Sequence, residues 1–136
     1  MIGQAEFILY VASQTAATAF WSKVLNRSPS LDVPGMTEFT LRDGTLLGLM
    51  PEDGIRALLG AALPDPARAR GIPRGELYLL VDDPAAGHSR ALAAGARELS
   101  PLTTRSWGDR VAYCLDPDGH VIAFASRPRA GDGAGY

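Results

Sequence analysis

Residues 107–125 read WGDRVAYCLDPDGHVIAFA and carry the strongest structural signal in the chain. Two runs of apolar, β-branched and aromatic residues flank residues 116–119 (DPDG), in which proline and glycine favour a chain reversal. The stretch therefore predicts a β-hairpin. Cys114, the only cysteine, lies in its first strand, where we expect a small buried side chain rather than a reactive thiol.

A strand and a helix precede this hairpin. Residues 76–81 (ELYLLV) predict the strand, and Asp83-Pro84 supplies an N-cap followed by proline at the first helical position. The helix is expected to end at or near Gly95, after which residues 97–102 return as a strand. Strand, helix and three strands together make one βαβββ module, at about residues 76–126.

The first half of the chain repeats this order. Residues 6–11 (EFILYV) predict a strand, and residues 13–26 predict a helix that Ser13 caps and Asn26 ends. Ala17, Phe20, Val24 and Leu25 form its apolar stripe. Further strands follow, including a hairpin around Asp43-Gly44, a pair suited to positive φ angles. This first module spans about residues 4–50.

The repeat has measurable offsets. Glu6 and Glu76 are 70 residues apart, and the Asp43-Gly44 and Asp118-Gly119 turns are 75 apart. Residues 51–75 predict a turn-rich linker with a short helix at about residues 55–59. Residues 127–136 lack periodicity and predict a mobile tail, or one that packs only through Tyr136. We expect a single domain over residues 1–136.

Composition excludes several classes of protein. The chain has 136 residues, 46% hydrophobic and 21% charged, which is typical of a globular domain. A net charge of -2 with interspersed signs predicts no nucleic-acid partner. No apolar run reaches the roughly 20 residues that span a bilayer, so we expect no membrane association and a cytoplasmic location.

Three segments resemble those of a known family. They are LYVASQTAATAFWSKVLN, ELYLLVDDPAA and, above all, WGDRVAYCLDPDGHVIAFA. Over about residues 5–125 they look like the vicinal oxygen chelate superfamily, which includes glyoxalases, bleomycin-resistance proteins and dioxygenases. The resemblance implies an α+β fold in which two tandem βαβββ modules form a curved mixed sheet around a central cavity, with helices on its convex side.

Strand alternation sorts the side chains of such a sheet. We expect Phe7, Leu9 and Val11 to pack under the helices, like Leu77, Leu79, Val81, Ile122 and Phe124 in the second module. The alternate residues then face the cavity, and Ala123→Trp should fill it without disrupting the fold. Trp21 is expected in the core, whereas Trp107 fits either a loop or a pocket wall. The predicted ligand-binding residues are Glu6, Ile8, Tyr10, Gly48, Met50, Glu76, Tyr78, Trp107, Arg110 and Ala123.

The resemblance also locates four metal-ligand positions, at Glu6, Gly48, Glu76 and Ala123. Two of these have no donor atom and none is histidine, so we expect no metal cofactor, although an oxygen-only site for Mg²⁺ or Mn²⁺ stays open. His88 and His120 are expected to be solvated or peripheral. No catalytic nucleophile or triad is recognisable.

Three functional interpretations remain open. The first is a metal-free binding protein, similar to the bleomycin-resistance branch, that sequesters a small organic molecule in the apolar cavity. Glu6 and Glu76 would then favour a cationic or hydrogen-bond-donating ligand. These two glutamates could instead reach water or pair with Arg74 or Arg110. The second is a lyase, isomerase or dioxygenase with a divergent metal site or acid–base catalysis by a glutamate. The third is assembly, since we expect a homodimer in which ALLGAALP covers an interface.

Overall fold

The computed structural model describes residues 1–128. It divides into two compact units, Met1–Arg70 and Gly71–Tyr136, whose boundary lies inside the predicted linker. Within the predicted tail, residues 129–136, and with them Tyr136, lie outside the described residues. None of the helices within residues 1–128 is long and apolar enough to cross a membrane.

The first unit contains β1 (Ala5–Val11), α1 (Gln14–Leu25), β2 (Leu31–Val33), β3 (Met36–Arg42) and β4 (Thr45–Pro51). Its sheet has the order β1-β4-β3-β2, with β1 parallel to β4 and the other pairs antiparallel. α2 (Glu52–Leu59) and two 3₁₀ turns, Gly60–Ala62 and Pro66–Ala69, follow. The predicted βαβββ order is confirmed, and it includes the short, exposed strand β2, which alternation did not reveal.

The second unit repeats the arrangement with β5 (Glu76–Leu80), α3 (Pro84–Ala93), β6 (Arg97–Thr104), β7 (Arg110–Leu115) and β8 (Val121–Ser126). Its sheet order is β5-β8-β7-β6, again with the first pair parallel and the others antiparallel. β6 runs two residues beyond its predicted end and contains Pro101. Proline is tolerated there because β6 is an edge strand, where a missing N–H need not break the ladder.

The helix caps follow the sequence closely. The Ser13 side chain accepts a hydrogen bond from the Ala16 N–H, and Asn26 ends α1 in the left-handed conformation with φ of 52°. Asp83 caps α3 in the same way by accepting from the Ala86 N–H. At the first hairpin only Gly44 takes a positive φ, and a register shift near Thr40 accommodates the turn instead of two positive φ angles.

Each sheet buries one face against its helix. The cores consist of α1 residues, including Trp21, with Phe39, Leu47 and Leu49 in the first unit, and of Ile122 and Phe124 on the α3 side of the second. Leu25 is only half-buried, so Trp21 completes the α1 stripe. Phe7 lies on the face that carries the core, as predicted, but it is 59% exposed on the edge strand β1, so the expectation that it packs under the helix is wrong. We call the side of each sheet away from these cores its open face.

Gly87 lets α3 lie close to the second sheet. A β-carbon there would sit 2.6 Å from Cδ1 of the Phe124 ring. We expect Gly87→Ala to lower the free energy of unfolding by about 1–3 kcal/mol in chemical denaturation, because overpacking outweighs the better helix propensity of alanine. Gly54 in α2 is a matched control, since a β-carbon there would meet only Met50 at 3.6 Å. Gly54→Ala should stabilise by about 0.5–1 kcal/mol, and equal effects at the two sites would contradict this packing.

Candidate functional site

The open face of the first sheet carries two neighbouring glutamates. Ile8 pairs with Gly48 on β4, which in turn pairs with Glu38 on β3. A β-carbon at Gly48 would collide with Oε1 of Glu6, so Glu6 reaches across the space that the glycine leaves free. Tyr10 and Met50, two further predicted site residues, pair with each other two residues farther along β1 and β4. Glu38 was not predicted, and the signal for it was its position beside Phe39 in a predicted strand, which directs the two side chains to opposite faces.

The carboxyl group of Glu6 has an unusual protonation equilibrium. Burial, reinforced by the hydrogen-bonding contact with Glu38 and the charge of that group, raises the pKa of Glu6 to about 6. Below that pH the proton on Glu6 removes its negative charge, and above it the ionised Glu6 is repelled by the charge of Glu38. The open face of the first sheet therefore offers a carboxylate site that is sensitive to mildly acidic pH.

Replacing Glu6 with glutamine should change stability in a pH-dependent way. Because its pKa rises from 4.5 when unfolded to about 6 when folded, ionised Glu6 destabilises the fold, and the penalty grows as pH rises from about 4.5 through 6. Glu6→Gln should therefore raise Tm at pH 8 more than at pH 4.5. Glu76→Gln is the control, because it removes a glutamate from the equivalent strand of the second unit. The same Tm change for Glu6→Gln at both pH values would contradict the raised pKa.

The open face of the second sheet is aromatic. Tyr78, Ala123 and Tyr113 lie side by side on β5, β8 and β7. Tyr78, Tyr113 and the loop residue Trp107 pack over the buried Ala123 and its neighbours Val111 and Ala125. Trp107 is thus part of this face rather than a free loop side chain.

A hydrogen-bonded chain fixes two of these aromatic residues. The Trp107 indole N–H donates to the Tyr78 hydroxyl oxygen at 3.0 Å, and the Tyr78 hydroxyl donates to Oδ2 of Asp109 at 2.6 Å. Asp109 is 1% exposed. Burial, together with the hydrogen bond to the Asp109 carboxylate, raises the pKa of Tyr78 to about 12, so the phenol keeps its proton at physiological pH.

Arg105 fixes the third aromatic residue. Its guanidinium lies 5.1 Å from the centre of the Tyr113 ring, a cation–π contact, while its Nη2 donates to the Ser100 hydroxyl and to the carbonyls of Pro101 and Val111. Burial raises the pKa of Tyr113, as does the charge of Glu76, against the opposing charge of Arg105. Arg105 therefore occupies part of the surface that Tyr113 offers.

Two predicted site residues, Glu76 and Arg110, contribute no hydrogen bond to the aromatic group in the described part of the chain. Glu76 is exposed on β5, and no ion pair within residues 1–128 joins Glu6 or Glu76 to Arg74 or Arg110. Arg110 immediately precedes Val111, whose side chain is on the open face, so alternation directs Arg110 to the other face. Among the basic residues of this region, the structure places Arg105, not Arg110, beside Tyr113.

Ala123 is less accessible than the sequence suggested. Its side chain is fully buried beneath the aromatic residues of the open face, so it does not line empty space within its own unit. A tryptophan at this position would have to displace those residues. The burial of Ala123 therefore leads us to expect that Ala123→Trp perturbs the fold, in contrast to the expectation from the sequence.

The remaining chemically active side chains have structural surroundings. His88 is 7% exposed, and its Nε2 lies 2.9 Å from Oε2 of Glu98, which corrects the expectation that it is solvated or peripheral. His120 is half-buried beside the buried Asp116 in the β7–β8 turn. Cys114 is fully buried, as predicted, and burial raises the pKa of its thiol to about 11.

The donor atoms do not fit a transition-metal centre. Within residues 1–128, no three His, Cys, Asp or Glu side chains are grouped so that they could hold a metal ion. Glu6 and Glu38 are two carboxyl groups without an imidazole or thiolate beside them, and Gly48 and Ala123 offer no side-chain donor. No step of chemistry through a metal follows from this arrangement.

A family model places the chain among known proteins. The model for the glyoxalase/bleomycin resistance protein/dioxygenase superfamily matches residues 3–124. The chain belongs to this superfamily. The resemblance predicted from the β7–β8 hairpin and its repeat is confirmed, and so is the α+β architecture of tandem βαβββ modules. No curated protein matches the sequence significantly.

Solved structures of other superfamily members share the fold. A glyoxalase-related enzyme from Fulvimarina pelagi is 23% identical with a TM-score of 0.77, and the match covers 91% of this chain and 87% of that one. A glyoxalase/bleomycin resistance protein/dioxygenase from Nocardioides is 20% identical with a TM-score of 0.72, covering 97% and 87%. A family enzyme from Burkholderia phytofirmans is 16% identical with a TM-score of 0.74, covering 93% and 98%. These identities support the fold and leave the activity open.

Proposed function

We propose that this superfamily member is a metal-free binding protein that sequesters a small organic ligand carrying a positive charge or several hydrogen-bond donors. One observation carries the proposal, namely the aromatic open face on which Trp107, Tyr78 and Asp109 form a hydrogen-bonded chain. Ligand sites combine apolar and aromatic surface with a few fixed polar groups, and this face has both.

The charged residues on the open faces of the two sheets favour a cationic ligand. Glu76 stands on the same strand and face as Tyr78, and its charge acts on Tyr113. In the first unit Glu6 and Glu38 present a pair of carboxyl groups on the open face of that sheet. An ammonium group is attracted both by carboxylates and by the faces of tyrosine and tryptophan rings, whereas an anion is repelled by carboxylates.

Metal titration separates this function from that of a metalloenzyme. We expect calorimetry with Ni²⁺, Zn²⁺, Fe²⁺ and Mn²⁺ to show no stoichiometric binding, because two of the four implied ligand positions are Gly48 and Ala123. The variant Glu76→Gln should give the same null result. One tightly bound ion per chain that is lost in Glu76→Gln would refute the metal-free proposal.

Acid–base catalysis is the second candidate, and the pKa of Glu6 favours it. A carboxyl group with a pKa of about 6 can both donate and accept a proton near neutral pH. If the protein is an enzyme of this kind, a bound ligand is converted over time. A ¹H NMR time course of added ligand that shows a new product with wild-type protein and none with Glu6→Gln would favour catalysis over sequestration.

We also propose that the chain forms a homodimer. Several large apolar side chains are exposed in the isolated chain, among them Phe7 on the edge strand β1 and Leu58 on α2, which are 59% and 70% exposed. Leu58 belongs to the segment ALLGAALP that the sequence suggested as an interface. Light scattering should give twice the chain mass of 14.4 kDa, and a monomer at micromolar concentration would contradict this proposal.

A further inference from the structure

The direction of the hydrogen bonds around Tyr78 is forced by chemistry. An indole N–H can only donate, so the Tyr78 oxygen must accept from Trp107. The phenolic proton is then directed to the carboxylate of Asp109, at 2.6 Å. The single donor of Tyr78 is therefore committed inside the protein, and its oxygen offers any further partner only an acceptor.

We infer that Tyr78 is a specificity-determining residue that selects ligands with an N–H or O–H donor, and that Asp109 is the positioning residue that gives it this polarity. The inference rests on the proposed binding function and narrows its ligand class. Tyr78 is half-buried, so part of its side chain is accessible on the open face, whereas Asp109 is 1% exposed and is not itself open to a ligand.

The neighbouring side chains reinforce this selection. The Trp107 N–H is already used, so it offers no donor to a ligand. Arg105 covers part of Tyr113, and Ala123 contributes no polar atom between the two tyrosines. A buried carboxylate behind the phenol also polarises it, which makes the oxygen a stronger acceptor than that of an isolated tyrosine. A fully methylated cation would find ring surface here but could not satisfy this oxygen.

Two probe cations isolate the effect of the donor. Benzylammonium and benzyltrimethylammonium carry the same ring and charge, but only the first has N–H donors. We would titrate each into wild-type protein and follow the Trp107 indole signal by ¹H–¹⁵N NMR, with the signal of the core residue Trp21 as an internal reference. We expect the Kd of benzyltrimethylammonium to be about tenfold higher than that of benzylammonium, the usual scale of one charge-assisted hydrogen bond.

Variants assign this ratio to the hydrogen-bonded chain. Tyr78→Phe should bring the ratio of the two Kd values close to the value that the difference in probe size alone would give. Comparing this ratio between variant and wild-type protein cancels the contribution of probe size. Asp109→Asn should also lower the ratio, because an amide can donate to Tyr78 and turn the phenolic proton outward. Tyr113→Phe removes a hydroxyl from the same face but outside the chain, and it should keep the ratio. If Tyr78→Phe does not fold, Asp109→Asn carries the test.

The outcomes separate the inference from the proposed function. Equal Kd values in wild-type protein, or a ratio that Tyr78→Phe and Asp109→Asn both leave unchanged, overturn the inference while cation binding stands. No displacement of the Trp107 signal by either cation overturns the proposed cationic ligand and the inference with it. A lowered Kd ratio in Tyr78→Phe and in Asp109→Asn, with the wild-type ratio kept in Tyr113→Phe, supports both the inference and the proposed cationic ligand.

Discussion

Replacing Ala123 with tryptophan is expected to lower the free energy of unfolding by about 3 kcal/mol, at the upper end of typical overpacking penalties. Ala123 is fully buried between Tyr78 and Tyr113, and Trp107 packs over the same cluster. An indole there must push the aromatic residues off the sheet, which also breaks the hydrogen bond from Trp107 to Tyr78. Chemical denaturation measures the loss.

Leu80 provides the matched control for that substitution. It lies on β5 two residues after Tyr78 and therefore on the same open face, but it is 49% exposed. Leu80→Trp introduces the same indole side chain where there is space, and we expect a change within about 0.5 kcal/mol. If the two variants were equally stable, the aromatic residues would have to be movable and Ala123 would be the floor of an open cavity.

Removing the Tyr78 hydroxyl should cost about 2 kcal/mol, the usual range for a hydrogen bond to a buried charged group. Tyr78→Phe leaves the nearly inaccessible Asp109 carboxylate without this donor and the Trp107 N–H without its acceptor. Chemical denaturation measures the cost, and the Trp107 indole proton should move upfield in the NMR spectrum at the same time.

Tyr113→Phe serves as the control for this loss. The Tyr113 ring packs against Arg105, and no hydrogen bond of its hydroxyl is found among residues 1–128. Its removal should change stability by less than about 0.5 kcal/mol. A Tyr78→Phe variant as stable as Tyr113→Phe, with an unmoved indole signal, would mean that the hydrogen-bonded chain does not form.

The repeat in the sequence predicted much of the fold, including its register. Ile8, Gly48 and Glu38 lie in one row of the first sheet, and Tyr78, Ala123 and Tyr113 lie in the corresponding row of the second. Corresponding residues of the two rows are 70 positions apart on the first strand of each unit and 75 apart on the other two. The 75-residue offset is the one that separates the two hairpin turns in the sequence. Alternation and turn chemistry are local properties, so they can be recognised without a structure.

The candidate site was predicted less well, because its decisive contacts depend on a loop. Arg105 and Asp109 lie in the turn between β6 and β7, where alternation gives no direction to a side chain. The predicted site residues included Arg110, which begins β7 with a side chain directed to the other face, and did not include Arg105. Phe7 shows a second limit, since an edge strand can expose a large apolar residue even on the face that carries the core.

The central claim is that this superfamily member binds an organic molecule and no metal. Native mass spectrometry of freshly purified protein, before and after incubation with EDTA, measures both properties on the same sample. We predict a mass for the chain without a divalent ion, unchanged by EDTA, together with a releasable small organic cation. A mass excess of one divalent metal per chain that EDTA removes, without any organic ligand, would contradict the account.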